Sequence, residues 1–337
     1  MDIALISRFF DTRNEGSGNH SKLVYEGLRD YTDLNILKVS EDDSIFPSNN
    51  KITYTIYIKE LKYILKRKKF NNVDIFHAIN PVESLYVNKK KAVINILDFI
   101  PITMPLFGKS FGSSLYVHIF DKAIREAVKC ENLIANNEDV KQDLITYYEI
   151  EEDNVEVIPP PISGDLYPKD IKHDKFTIGT LSRLDARKRV DILVKSFIEA
   201  DIDDSELLIG GRGPELDYLK QLAKNDDRVK FLGFIPDEKV NDFYNSLDLF
   251  VFPTVAEGYG MPIIEAMACK KPVITLKDSR IPSNVKNKTC VVDRNNLASV
   301  LRNHDFKCDI KRNLEFYKEH SLKNIAEKNL KVYNRIV

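Results

Sequence analysis

Short apolar runs alternate with helix-spaced stretches along the chain, and the alternation breaks once, at Pro159-Pro160-Pro161. Before the break, residues 2–7, 34–39, 52–58, 74–78, 92–96, 132–136 and 155–158 read as strands, with helical spacing at 21–31, 59–70, 114–129 and 138–148. After it, strands read at 176–181, 206–209, 229–232, 247–252, 273–276 and 289–292, and helices at 188–200, 215–225, 237–246, 262–269 and 296–303. Alternation of this kind predicts parallel α/β sheets with helices on both faces. The fold class expected is two doubly wound, Rossmann-like domains.

A chain of 337 residues is long for a single core and suits two domains. The prolines, with Gly164 and Pro168, mark a stiff connection between residues 158 and 175. The expected domains are therefore 1–165 and 166–315. Residues 304–337 are helical by pattern, with Leu322, Ile325, Ala326, Leu330 and Tyr333 spaced for one face. That segment has no strand of its own to cover, so a helix at about 316–337 is expected to pack back onto the first domain. Two such domains leave a cleft, the usual place for a ligand.

A net charge of −1 gives no global positive field for nucleic acid. No apolar run reaches the roughly 18 residues that span a bilayer, and the first residues read as a strand rather than a signal peptide. Cys130, Cys269, Cys290 and Cys308 show no CxxC spacing, which fits reduced thiols and a cytoplasmic location. Lys59 through Lys69 reads KELKYILKRKK, with Leu61, Ile64 and Leu65 at helical spacing. Two readings stand for it: a solvated outer helix face, or peripheral contact with an anionic membrane surface, placing the protein at the inner face of the membrane.

The chemistry gathers at strand ends. The run 247–252 leads into a loop with Gly258 and Gly260, then Pro262 where a helix starts, with Glu257 and Glu265 flanking the turn. The run 176–181 leads into Ser182-Arg183-Leu184-Asp185-Ala186-Arg187-Lys188-Arg189. Cations at a helix start oppose its dipole and imply an anion. Arg183 and Lys188 are the chosen ligand pair, with Arg187 and Arg189 solvated. Gly210-Gly211-Arg212-Gly213-Pro214 ends a third run. Strand ends of one parallel sheet converge on one crevice. The carboxylates repel phosphate and accept from hydroxyls; the cations take a diphosphate. A diphosphate with a sugar at each end, a nucleotide sugar, satisfies the whole set.

In the first half, Gly16-Ser17-Gly18-Asn19-His20 reads either as a tight turn or as a loop bringing backbone N–H groups to a phosphate. His77, Asn80 and Asp98 end strands, and each either faces the crevice or is a satisfied structural polar group.

The stretch Glu257-Gly258-Tyr259-Gly260-Met261-Pro262-Ile263-Ile264-Glu265-Ala266 resembles the EGxGxPxxEA signature of retaining GT-B glycosyltransferases, glycosyl transferases group 1 (family 4), with its E-x7-E spacing. Gly211-x-Gly213-Pro214 is similar to that family's GxGP turn, residues 229–233 to its VxFxG strand, 180–188 to its GRLxxxK loop, 154–162 to its KVxVIPNGI segment and Gly16–Gly18 to its N-terminal glycine loop. The resemblance implies a GT-B fold and transfer of a sugar, with retention, from a UDP- or GDP-sugar to an acceptor it does not identify, in glycan, glycolipid or surface polysaccharide synthesis. It implies no cofactor and no obligatory metal. Glu257 would hold the transferred sugar's hydroxyls, Glu265 the ribose, and backbone N–H groups of Gly258, Tyr259, Gly260 and Met261 the sugar and distal phosphate. Arg183 and Lys188 would neutralise the departing diphosphate. Gly16, Gly18, Gly211 and His77 join the binding set. Leu97-Asp98 stands where the family has His-Asp, so Asp98 is the acceptor-side catalytic candidate. The alternative is a non-catalytic nucleotide-sugar-binding subunit, which the Leu97 departure favours and the intact glutamates and cations oppose.

Overall fold

The computed structural model describes residues 1–11, 15–44, 51–67, 73–103, 111–171, 174–224 and 226–337. The chain divides into two compact units, Met1–Ser163 with Glu319–Val337, and Gly164–Lys318.

The first unit runs β1 (Asp2–Ile6), α1 (Glu15–Arg29), β2 (Asn35–Val39), α2 (Lys51–Arg67), β3 (Ile75–Ala78), β4 (Ala92–Ile96), α3 (Ile100–Thr103), α4 (Phe111–Ala127), β5 (Leu133–Ala135), α5 (Glu138–Tyr148) and β6 (Val155–Val157). Its strands form one parallel sheet in the order β2-β1-β3-β4-β5-β6. Alternate residues of each strand serve opposite faces, and both are covered. Ala4, Ile6, Ile94 and Ile96 pack with Leu61, Ile64, Phe120 and Ile124 on one side. Ile3, Leu5, Ile75 and Val93 pack with Val24 and Leu28 on the other.

The second unit runs β7 (Phe176–Leu181), α6 (Val190–Ala200), β8 (Ser205–Gly210), α7 (Leu216–Leu222), β9 (Val229–Gly233), α8 (Asp237–Asn245), β10 (Leu249–Phe252), α9 (Met261–Ala268), β11 (Val273–Leu276), α10 (Ser283–Lys286), β12 (Cys290–Val292), α11 (Leu297–Arg302) and α12 (Ile310–Lys318). Its sheet is also parallel, in the order β12-β11-β10-β7-β8-β9. Beyond α12 the chain rejoins the first unit as α13 (Leu322–Tyr333), which packs on α1 and buries Ile325, Ala326, Val332 and Tyr333 against β1 and β3 residues.

Several expectations are corrected in the first unit. Residues 52–58 are the first half of α2, not a strand. Their β-branched residues favour extended chain, but β2 and β3 flank β1 in one parallel sheet, and a parallel connection needs a crossover element. Tyr57, Ile58, Leu61, Ile64 and Leu65 then fall on one buried helical stripe. Gly16 and Gly18 lie in the opening turns of α1 rather than in a loop before it. Gly18 is required by packing, since a Cβ there would sit 2.2 Å from the Asp11 carbonyl oxygen. The end of the basic stretch, Lys68 and Lys69, falls outside the described residues.

His77 does not face a crevice. It is fully buried, with Nδ1 bonded to the Tyr333 hydroxyl at 2.6 Å and Nε2 to Asn95 Oδ1 at 2.8 Å. Burial lowers its pKa to about 4, so it stays neutral and ties β3 and β4 to α13. The sequence could not show this, because its hydroxyl partner lies 256 residues away. Asn80 caps the short helix Pro81–Ser84, accepting from the Val82 N–H at 3.1 Å. Asp98 is half-buried and accepts from the Ile100 N–H at 2.9 Å, opening α3.

Glu83, in that short helix, is buried beside the end of β1. Its Oε1 accepts from the Arg8 N–H at 2.6 Å, while Oε2 has no hydrogen-bond partner among the described residues. Desolvation raises its pKa from 4.5 to about 8. Between those values the folded chain holds a proton that the unfolded chain has released, so stability present at low pH is lost as pH rises through the window. Glu83→Gln keeps the Arg8 bond and removes the titration. The melting temperature of the wild type is expected to fall more steeply than that of Glu83→Gln from pH 4.5 to about 8. Parallel curves for the two would remove Glu83 as the cause.

Candidate functional site

In the second sheet, strand order reverses between β7 and β10. Loops leaving the carboxyl ends of strands at such a reversal part to opposite sides and open a crevice. The loop after β7 carries Arg183, Arg187, Lys188 and Arg189; the loop after β10 carries Glu257. The two loops are zipped together. The Val255 N–H donates to the Arg187 carbonyl at 2.8 Å, and the Glu257 N–H donates to the Arg280 carbonyl at 2.9 Å. Glu257 is thus clamped between loops following β7 and β11.

Glu257 Oε1 accepts from Lys188 Nζ at 2.7 Å, Thr254 Oγ1 at 2.6 Å and an Arg187 guanidinium nitrogen at 3.2 Å. All three bonds end on one oxygen. None of these three bonds reaches Oε2. Lys188 is only 8% exposed and lies 4.9 Å from the centre of the Phe252 ring, with the Glu257 carboxylate as its ion-pair partner.

The expectation that Arg187 and Arg189 are solvated is corrected. Arg187 pairs with Glu257 and also donates to the Ala256 carbonyl. Arg189 adopts a left-handed conformation, φ 51°, at the start of α6. Its guanidinium donates to the Pro253 carbonyl at 2.7 Å, the Thr254 carbonyl at 2.8 Å and Asp278 at 2.8 and 3.0 Å. Such backbone strain persists where surrounding contacts over-determine it. Arg189 is the rivet of the three loops. Arg183, in contrast, is 59% exposed, with one loose pairing to Asp185 at 3.7 Å. It is the most exposed cation of the set.

Glu265 lies in the second turn of α9 and is half-buried. Burial raises its carboxyl pKa, and the Tyr244 hydroxyl, donating to Oε2 at 2.7 Å, counters part of that shift. Tyr244 is fully buried on α8 and escaped sequence reasoning, since nothing in its neighbourhood marks a carboxylate partner. Between the glutamates, Gly260 has φ +97° and precedes α9, with Pro262 in the helix's first turn, as its missing N–H allows. Gly258 and Met261 are half-buried; Tyr259 is buried, with its hydroxyl 3.5 Å from Asn284 Nδ2.

Gly211 is required by the packing of the loops. Its N–H donates to the Gly233 carbonyl at 2.7 Å, with φ +115°. A Cβ there would meet the Ser182 oxygen at 1.8 Å, and one on Gly213 the Leu184 oxygen at 2.1 Å. The glycines let the β8 loop lie against the β7 loop. Beside them, after β9, Phe234 is 56% exposed under the Arg212 guanidinium, 5.7 Å from the ring centre. An apolar recess lined by Leu232, Phe234, Ile235 and Phe243 follows β9 and shares no lining residue with the Glu257 cluster. Among the described residues, no group of three or more His, Cys, Asp or Glu is placed to hold a metal ion.

Two parallel α/β Rossmann-like units define the GT-B fold class of glycosyltransferases. The structure of lipopolysaccharide outer core galactosyltransferase WaaB matches with TM-score 0.68 at 13% identity, over 100% of both chains. That of Anabaena HepE in complex with UDP matches with TM-score 0.70 at 16% identity, over 99% of this chain and 100% of that one. Residues 167–327 match the family of glycosyl transferases group 1. Among curated relatives, O-antigen chain mannosyltransferase B of Escherichia coli is 25% identical over 203 residues, 55% of this chain and 53% of that protein. A probable sucrose-phosphate synthase of Thermosipho melanesiensis is 31% identical over 193 residues, 52% of this chain and 44% of that protein. The matched part therefore spans about half the length of these relatives or less. No described helix is long and apolar enough to cross a membrane.

Proposed function

We propose that the chain is a retaining, metal-independent glycosyltransferase with the E-x7-E site of family 4, moving a sugar from a UDP- or GDP-sugar to an acceptor in glycan, glycolipid or surface polysaccharide synthesis. The observation that carries this reading is Glu257 held at the strand reversal by Lys188 and Arg187, with Glu265 eight residues on and bound to Tyr244. A carboxylate whose one oxygen is fixed by three donors presents the other in a set direction, which suits it to accept from a sugar hydroxyl.

In this reading the bond between the sugar's anomeric carbon and the diphosphate oxygen breaks with its electrons going to the diphosphate. The acceptor oxygen forms the new bond on the same face, and its proton passes to the departing diphosphate oxygen. Negative charge grows on the departing phosphate, and preset cations stabilise it most at that moment. Lys188 supplies a fixed cation and Arg183 an exposed fork. Glu265 accepts from ribose hydroxyls, Gly258 through Met261 line the sugar and distal phosphate, and Asp98 serves the acceptor side. The names of the relatives, a mannosyltransferase and a sucrose-phosphate synthase, and UDP in the HepE structure support this chemistry.

Incubation of the purified chain with UDP- and GDP-sugars is expected to release nucleoside diphosphate from one of them. No release from any donor, together with no binding of UDP or GDP, would overturn the reading. Arg183→Ala is expected to weaken nucleoside diphosphate affinity about tenfold in isothermal titration, the loss of one charge-assisted contact. Unchanged affinity would exclude Arg183 from the phosphate site.

A further inference from the structure

A chain of four polar side chains runs along the face of the first sheet that α1 and α13 cover. Tyr333 on α13, His77 on β3, Asn95 on β4 and His20 on α1 are each at least nine-tenths buried. The Tyr333 hydroxyl lies 2.6 Å from His77 Nδ1, His77 Nε2 lies 2.8 Å from Asn95 Oδ1, and Asn95 Nδ2 lies 3.4 Å from His20 Nε2. Such a chain has two possible directions. If Tyr333 donates, His77 passes its Nε2 hydrogen to the Asn95 oxygen, and the Asn95 amide donates to His20 Nε2. In the other direction the amide reverses and the fully buried Tyr333 hydrogen has no acceptor among the described residues. An unmet buried donor is costly, so the first direction holds. Burial, with His77 nearby, lowers the His20 pKa to about 4 and keeps the ring neutral. Accepting at Nε2, the neutral ring carries its hydrogen on Nδ1. Nδ1 makes no hydrogen bond with a described residue, and the ring keeps 9% of its surface open. The one unmet hydrogen of the chain is thus delivered to the end that reaches the surface.

His20 lies in the second turn of α1, which follows β1, and Asn95 is the next-to-last residue of β4. The order of this sheet reverses at β1, with β2 on one side and β3 on the other. Carboxyl ends of strands at such a reversal open a crevice for a ligand. We propose that His20 is a preset neutral donor to a hydroxyl oxygen of a saccharide acceptor, with Tyr333, His77 and Asn95 as positioning residues that hold its proton on Nδ1. This role rests on the transfer reaction proposed for the chain and adds a residue to its acceptor side. A phosphate would call for a charged donor, whereas a neutral one matches a neutral hydroxyl. The ring does not take the acceptor's proton at neutral pH. It engages one lone pair of the oxygen and leaves another directed for attack, so its contribution is orientation.

The test follows the proton in the full-length chain labelled with 15N. At neutral pH, long-range 1H–15N correlation is expected to place the His20 proton on Nδ1 and the His77 proton on Nε2. Tyr333→Phe removes only the hydroxyl at the far end, and the His20 proton is then expected to spread over both ring nitrogens, which a purely structural tyrosine would not cause. If that variant does not fold, the wild-type spectrum and the probes below decide. Methyl α-glucoside, methyl α-mannoside, methyl α-galactoside and methyl N-acetyl-α-glucosaminide serve as acceptor probes. At least one is expected to shift the His20 ring signals while those of His304 stay in place. With that glycoside and a UDP- or GDP-sugar, His20→Phe is expected to lower kcat/KM for the glycoside about tenfold, the loss of one hydrogen bond. His20→Asn should lose less, because its amide nitrogen stands as many bonds from Cα as Nδ1 does. A His20 proton on Nε2 in the wild type, no response of His20 to any probe, or equal losses in the two His20 variants would each overturn the proposal. Nucleoside diphosphate release without glycoside reports separately on the transfer reaction, so release with a silent His20 would sink this role alone.

Discussion

Glu257→Gln is expected to lower kcat by about two to three orders of magnitude, the size of effect seen when one preset polar group of an active site is removed, with a smaller loss of melting temperature than Glu257→Ala. Glutamine keeps the shape of the side chain, and its carbonyl oxygen still accepts from Lys188 and Thr254. It loses the charge and one of the two acceptor oxygens. Glu257→Ala should behave differently in one measurable respect. Lys188, 8% exposed and packed on Phe252, would be left as a buried cation with neither the carboxylate nor an acceptor oxygen from residue 257. Breaking such a pair costs about 3 kcal/mol. Activity should fall in both variants, and calorimetry should show a lower transition for alanine than for glutamine. Turnover like the wild type in Glu257→Gln would remove this carboxylate from the reaction. Equal melting for the two variants would mean that Lys188 finds another partner.

The second large effect lies away from any expected ligand contact. Gly211→Ala is expected to destabilise the second unit by about 3 kcal/mol or more, combining a left-handed backbone with an overpacked contact. The φ of +115° disfavours any side chain, and the new methyl group would meet backbone oxygen of Ser182 rather than a flexible side-chain end. Relief requires parting the β7 and β8 loops, which carry the Ser182 N–H bond to the Gly210 carbonyl at 3.2 Å and the Leu184 N–H bond to the Arg212 carbonyl at 2.9 Å. The unit's Tm should fall by roughly 10 °C in scanning calorimetry. Gly164→Ala is the control, because a Cβ there meets nothing within 4 Å and its φ is ordinary. A Gly211→Ala variant as stable as that control would show that the two loops are not held at this spacing.

Much of the architecture was legible from pattern. Strands at 176–181 and 273–276 and a helix at 138–148 are found over those same residues. Runs such as Leu249–Phe252 are buried on every residue, and only a covered parallel strand keeps four consecutive apolar side chains from water. The pattern failed at 52–58, where local preference favoured a strand and the topology of the sheet demanded a crossover. It failed as well at Gly16 and Gly18, since a glycine pair reads the same in a loop as in a helix turn that must pass close to another chain segment.

The glutamates, the glycine turn between them and the cluster of cations were visible in the sequence because their spacing is local. Which cation does what was not. Arg183, Arg187, Lys188 and Arg189 are near neighbours in the chain, yet one is exposed, two meet Glu257 and one spans the carbonyls of Pro253 and Thr254 and the carboxylate of Asp278. The partners of Arg187, Lys188 and Arg189 lie between 64 and 90 residues away, and no periodicity encodes such a distance. His77 shows the converse: a polar residue at a strand end, placed for a ligand by its position, is claimed by a tyrosine from the far end of the chain. Hydrophobic periodicity is a property of neighbours along the chain and is enough to define strands, helices and the residues that can gather at their ends. The pairing of charges depends on which strands become adjacent, and only closure of the sheet, with its order reversing between β7 and β10, brings Lys188 to Glu257.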